Sequence, residues 1–227
     1  MSATAVYKGL TLAQMGGVNY LYAANFMAGT VDVFDRWFMP VSLSAWAFHD
    51  KNLPSGYAPF NVQNIGGDIY VTYAQKEAGS IDEVHGAGKG YVDVYSPDGA
   101  LQKRLQHGSW FNAPWGVVKA PADFGRFSNM ILVGQFGSGR IAAFDPMSGK
   151  FRGLMRGAND RSLVIEGLWA LSFGNGANAA HSTHSILPPE LTTKRMVCSA
   201  PLRRLRIQTK MMAIPIKGDV ARRNSSG

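Results

Sequence analysis

Asn61, Asn112 and Glu166 carry side-chain oxygens of the kind a hard cation takes as ligands. An enzyme that depends on a metal would use them to hold Ca²⁺. Tyr57, Trp115 and Trp169 stand close to them in sequence, and each group of residues opens a short apolar segment. Rings placed there could face a ligand. The same residues also fit a structural part, with the tryptophans as core and the asparagines as turn formers. The residue types leave both readings open. The second requires no cofactor and assigns no catalytic residue and no metal ligand.

Other chemistry has less support. His49, His85 and His107 fall in separate polar stretches, and His181 and His184 lie near the C-terminus. There is no HExxH, no CxxC and no GxSxG. Residues 75–89 (QKEAGSIDEVHGAGK) end in a run that resembles a phosphate loop. No Ser or Thr follows Lys89, however, and a strand rather than a helix comes next. A solvated loop is expected there. Cys198 is the only cysteine, so no internal disulfide can form.

A repeat must position these residues. Residues 19–38 (NYLYAANFMAGTVDVFDRWF) and 129–151 (NMILVGQFGSGRIAAFDPMSGKF) read as the same β-hairpin. Residues 68–74 and 90–105 form a third copy, split by the 75–89 insertion. A short strand precedes each hairpin, in KGLTLAQ, APFNVQN and APWGVVKA, and EGLWALSFG supplies a fourth. Aligning Leu10, Phe60, Trp115 and Trp169 gives spacings of 50, 55 and 54 residues. A period near 50 built from short strands points to propeller blades, and no segment sustains a helical apolar stripe.

The expected fold is therefore all-β. It is a partial β-propeller of about three four-stranded blades plus the inner strand of a fourth, with a disordered or irregular C-terminal tail. One blade reads as strands over 115–119, 130–135, 140–144 and 151–155. Alternation puts Val31, Val33, Val92 and Val94 on one face. Asp35, Asp98 and Asp145 fall at hairpin turns, where a carboxylate accepts backbone N–H groups. Propellers bind ligands at the mouth of the central channel. Tyr57, Asn61, Asn112, Trp115, Glu166 and Trp169 are the candidates there.

The charge divides the chain in two. Residues 1–176 carry 14 Lys/Arg and 13 Asp/Glu, whereas residues 177–227 carry nine and two. The repeat also stops after Gly176. The expected division is a propeller fragment over 1–176 and a basic, non-native tail over 177–227, produced by a shift of reading frame. Back-translation from Ala180 in another frame permits Asn-Thr-Leu-Tyr-Phe, the strand that the repeat lacks. If the tail is genuine, RRLRIQTK (residues 203–210) would give salt-sensitive phosphate binding at most. No specific nucleic-acid partner is expected. No apolar run reaches the length of a membrane span, and no signal peptide is visible.

Residues 5–176 resemble an uncharacterised bacterial family of β-propeller proteins related to NHL-repeat propellers. The motifs that carry the resemblance are AVYKGL, LYAANF, GTVDVFD, NLPSGYAPFNVQNIGG, IYVTYA, APADFGRFSN and EGLWALSFGNG. It implies further blades before AVYKGL, often with an export signal, and no assigned reaction. The implied function is that of a binding or interaction module for a protein or small-molecule ligand. The alternatives are a metal-dependent propeller hydrolase or lactonase, and a pseudogene product without function. A fragment with open blade edges is expected to aggregate.

Overall fold

The computed structural model of the chain describes residues 5–157, 160–173 and 205–209. The candidates His181 and His184, Cys198, and the tail other than Leu205–Thr209 lie outside the described residues. Three strands form the first blade: β1 (Tyr7–Met15), β2 (Val18–Asn25) and β3 (Thr30–Phe34). The second contains β4 (Tyr57–Ile65), β5 (Asp68–Lys76), β6 (Glu83–Val84), β7 (Tyr91–Tyr95) and β8 (Leu101–Arg104). Its order is β4-β5-β7-β8, with β6 paired to the end of β5. The third is a plain four-strand meander: β9 (Pro114–Lys119), β10 (Ile131–Gln135), β11 (Ile141–Phe144) and β12 (Phe151–Leu154). In the fourth, β13 (Leu168–Phe173) pairs with β14 (Leu205–Thr209).

The first strands of successive sheets, β1, β4, β9 and β13, lie side by side. This is the arrangement of propeller blades around an axis. Apolar side chains fill each gap between sheets. Tyr22 and Val33 of blade one pack with Val62 and Val71 of blade two. Tyr70, Val92 and Val94 pack with Val117 and Val133, and Leu132 and Ile141 pack with Leu168 and Leu171. A middle strand is thus covered on both faces, which is why β5, β10 and β11 read as nearly continuous apolar runs. The fold is an all-β partial propeller.

The structure revises three details. Blade one has three strands rather than four. A fourth begins where Pro40 bridges Phe34 and the Val41 N–H donates to the Val33 carbonyl at 2.8 Å. The chain then turns away, because Phe48 is drawn between blades one and two. Its N–H donates to the Gly99 carbonyl at 2.8 Å, and its ring packs on Tyr22 and Tyr95. Second, the 75–89 insertion is not all loop, since it prolongs β5 to Lys76 and adds β6. Third, residues Leu205–Thr209 of the basic segment form a strand.

The aspartates behave in two ways. Asp35 Oδ1 accepts from the Trp37 and Met39 N–H groups, and Asp145 Oδ1 from those of Met147 and Ser148, as turn aspartates should. Asp93, between Val92 and Val94, is fully buried instead. Arg104 donates to it through Nε at 2.7 Å and Nη2 at 3.2 Å. Burial pushes the Asp93 carboxyl above its ordinary value, against the pull of the Arg104 guanidinium.

Candidate functional site

Each inner strand carries a β-bulge near its start. The ladder skips Lys8 in β1, Phe60 in β4 and Trp169 in β13, and it gains one residue at Trp115–Gly116 in β9. A bulge re-aims the extra residue out of the regular pleat. Here the four bulges aim at one another across the blades. Trp115 stacks on Trp169 with centroids 4.6 Å apart, and Trp169 meets Phe60 edge-on at 6.0 Å. Phe136 meets Trp169 at 5.2 Å, and Phe26 meets Phe60 at 5.5 Å.

Lys8 caps this aromatic platform. Its ammonium lies 4.8 Å from the Phe26 centroid and 5.4 Å from that of Phe60. The β6 strand brings Glu83 to it, with Oε2 2.9 Å from Lys8 Nζ. Only 5% of the Glu83 side chain is exposed. Burial alone would raise its carboxyl, but the Lys8 hydrogen bond and charge outweigh that and hold it below its ordinary value. His85 Nε2 stands 3.6 Å from Glu83 Oε1, with its ring edge against Phe136. The Trp115 indole N–H donates to the Lys8 carbonyl at 3.2 Å, which fixes the tryptophan in place.

The six sequence candidates separate into two groups. Trp115 and Trp169 are in the platform, and Asn61 supports it by donating from Nδ2 to the Trp115 carbonyl at 2.7 Å. Asn112 anchors the insertion, accepting the Gly86 N–H at Oδ1 at 2.8 Å. Its own carbonyl accepts from the Gly137 N–H at 3.0 Å. Tyr57 packs on Tyr91 at 4.9 Å, beside the core between blades one and two. Glu166 is exposed in the turn before β13. Among the described residues, no three His, Cys, Asp or Glu side chains gather as a metal cradle.

Lys8, Glu83, Phe26, Phe60 and Phe136 were not legible as site residues. The alignment on Leu10 hid Lys8, because a bulky apolar residue looked like the partner of Phe60. The ladder instead makes Lys8, two residues earlier, the counterpart of Phe60. Phe26 and Phe60 are fully buried beneath the platform, so what it can offer is the half-buried Trp115, Trp169 and Phe136 rings beside the Lys8–Glu83 pair. That set suits a ligand with an apolar or planar body and a polar end.

No protein-family model matches the chain. Three uncharacterised proteins of Acanthamoeba polyphaga mimivirus are similar to it in sequence. One is 35% identical over 172 residues, which are 74% of this chain and 44% of that protein. Another is 34% identical over 172 residues, 74% of this chain and 41% of its own length. The third is 33% identical over 151 residues, covering 65% and 28%. The chain therefore spans less than half the length of the curated relatives it matches. They are viral, whereas the motif resemblance pointed to a bacterial family. Two solved structures superpose with 8% and 14% sequence identity. A protein of unknown function from Bacteroides caccae gives a TM-score of 0.47, covering 77% of this chain and 52% of its own. A candidate gluconolactonase gives 0.49, covering 92% and 76%. Both scores fall below 0.5, and no residue role is carried over from either. Among the described residues, no helix is long and apolar enough to cross a membrane.

Proposed function

We propose that this chain is part of a propeller protein that acts as a binding module, and that its ligand meets the half-buried Trp115, Trp169, Phe136 and Lys8, which rest on the buried Phe60. The convergence of four bulge residues from four blades carries this reading. Bulges concentrate where a side chain must be re-aimed for a purpose. A buried ion pair such as Lys8–Glu83 adds little net stability, so its presence beside the half-buried rings of Trp115, Trp169 and Phe136 fits recognition better than scaffolding.

The hydrolase reading needs Asn61, Asn112 and Glu166 to share Ca²⁺. The side-chain oxygen of Asn112 already accepts the Gly86 N–H, which favours the binding reading. Intrinsic tryptophan fluorescence, titrated with a panel of small amphipathic ligands and with Ca²⁺, separates the two. A saturable change lost in Trp169→Ala and kept in Glu166→Gln supports the platform. A Ca²⁺-dependent rise in melting temperature lost in Glu166→Gln, together with lactone hydrolysis, would replace it with the enzyme.

Two expectations about the gene product belong to the same proposal. The charge surplus and loss of repeat beyond Gly176 support a shifted reading frame for residues 177–227, in a relative of NHL-repeat propellers whose intact form is exported. Sequencing the gene on both sides of this region tests that. A pseudogene product would show the blade text restored in another frame and no ligand for the chain as it stands.

A further inference from the structure

Blade one stops a strand short of its neighbours, and the gap has a definite chemistry. In blade two the Leu105 N–H donates to the Val92 carbonyl at 2.9 Å, and in blade three the Met155 N–H donates to that of Ile141 at 2.8 Å. The ladder identifies their counterpart in blade one. Asp32, Asp93 and Ala142 pair across with Ala23, Val71 and Val133, so Val31 corresponds to Val92 and Ile141. Antiparallel alternation turns Val31 outward, as it does Val33. Among the described residues, no backbone N–H reaches the Val31 carbonyl from that side. A cavity of about 450 Å³ lies there instead, bounded by Val31, Val33, Leu43 and Phe48. This is within the usual size range of ligand sites.

Asp32 gives the cavity its charge. Its Oδ2 accepts from the Tyr7 hydroxyl at 2.7 Å and Asn25 Nδ2 at 2.9 Å, and its Oδ1 from Thr30 Oγ1 at 2.7 Å. A carboxylate offers about four lone-pair positions, so acceptor capacity remains. Burial, with the hydrogen bond to Asp32, pushes the Tyr7 phenol up to about 12 and keeps it a donor. Among the described residues, no Lys, Arg or His forms an ion pair with Asp32. The contrast with blade two is direct. There the equivalent Asp93 faces Arg104 on the fourth strand, in register and in a two-point contact.

We propose that blade one receives an extended segment of a partner protein at the part of the β3 edge that Pro40 and Val41 leave free, pairing with Val31 and placing an arginine opposite Asp32. The open edge supplies backbone pairing and the cavity takes apolar side chains. Asp32 Oδ1 keeps about one acceptor position for a charged N–H of the arginine. The site is separate from the aromatic platform and stands without it.

The chain supplies its own probe. A fluorescein-labelled hexapeptide, Arg-Leu-Gln-His-Gly-Ser, copies residues 104–109 and leaves the positions of Pro40 and Val41 untouched. Binding to the full 227-residue chain is followed by anisotropy, beside a version with citrulline in place of arginine. Saturable binding is expected, weakened about tenfold by citrulline, the effect of losing a charged hydrogen bond. Asp32→Asn should abolish the difference between the two peptides. Leu43→Trp, which fills the cavity and leaves Asp32 intact, should weaken both. Absence of saturable binding, equal affinity for both peptides, or an arginine preference surviving in Asp32→Asn overturns the proposal. Arginine amide binding as tightly as the hexapeptide overturns the strand pairing. A wild-type dimer that the peptide dissociates assigns the gap to a second copy and overturns the separate partner.

Discussion

The Lys8 ammonium lies 2.9 Å from Glu83 Oε2, although 75 residues separate the two in sequence. The contact ties the inner strand of blade one to the insertion of blade two. Both side chains are largely withdrawn from water, at 13% and 5% exposed.

Removing one partner strands the other. Lys8→Met should destabilise the chain by roughly 3 kcal/mol, and the double variant Lys8→Met/Glu83→Leu should recover most of that. The pH dependence follows from the Glu83 shift. Its folded value lies below its ordinary 4.5, so its contribution is present above 4.5 and is lost as pH falls through the lower folded value. Asp93 acts with the opposite sign. Its raised value contributes below its ordinary 3.8 and fades as pH rises through the folded value. Melting curves of the wild type and Glu83→Gln should therefore converge only at acidic pH. A gap between them that does not narrow as pH falls below 4.5 would rule out this role for Glu83.

Gly116 is fixed by the approach of the neighbouring inner strand rather than by a turn. A Cβ there would meet the Leu171 backbone nitrogen at 2.9 Å and the Trp169 carbonyl oxygen at 3.2 Å. Gly116→Ala should cost about 2 kcal/mol, with loss of the near-ultraviolet signal of the Trp115–Trp169 stack. Gly134→Ala should cost less, because its nearest neighbour is the Leu168 Cδ2 methyl at 3.2 Å, which can move. Equal losses in denaturant melts would refute the distinction.

Leu10 is the counterpart of Val62, Val117 and Leu171, yet it is 58% exposed while they are 0%, 3% and 8% exposed. Each of those three packs on a preceding blade, and no described sheet covers Leu10. Leu10→Ser should therefore change stability by no more than about 0.5 kcal/mol, whereas Val62→Ala should cost about 2 kcal/mol. Leu10 and Leu12 lie two residues apart on one exposed face of β1, so light scattering should show less self-association in Leu10→Ser. A Leu10→Ser variant as unstable as Val62→Ala would mean that the face is covered after all.

The sequence carried the blade count and most of the strands, since hairpin turns and apolar runs are local signals. Residues 140–144, read as a strand, correspond to β11 at Ile141–Phe144. It also brought Trp115 and Trp169 forward, because bulky residues recur at one place in each repeat. It misjudged blade one, where the start of a fourth strand at Pro40 and Val41 looks like those at Leu101 and Phe151. Whether the strand continues depends on Phe48, held by a neighbouring blade.

What the sequence determined by itself is therefore the periodic part: an all-β chain of propeller blades with aspartates in the hairpin turns. Those features depend on neighbours a few residues away. The tertiary structure alone decided the ladder register. A bulge shifts the pairing by one residue without changing composition, so no pattern in the sequence marks Lys8 rather than Leu10 as the partner of Phe60. It also decided which charges meet. Lys8 reaches Glu83 because two blades bring their strand ends together, and Asp93 reaches Arg104 because blade two completes a fourth strand where blade one, beside Asp32, does not.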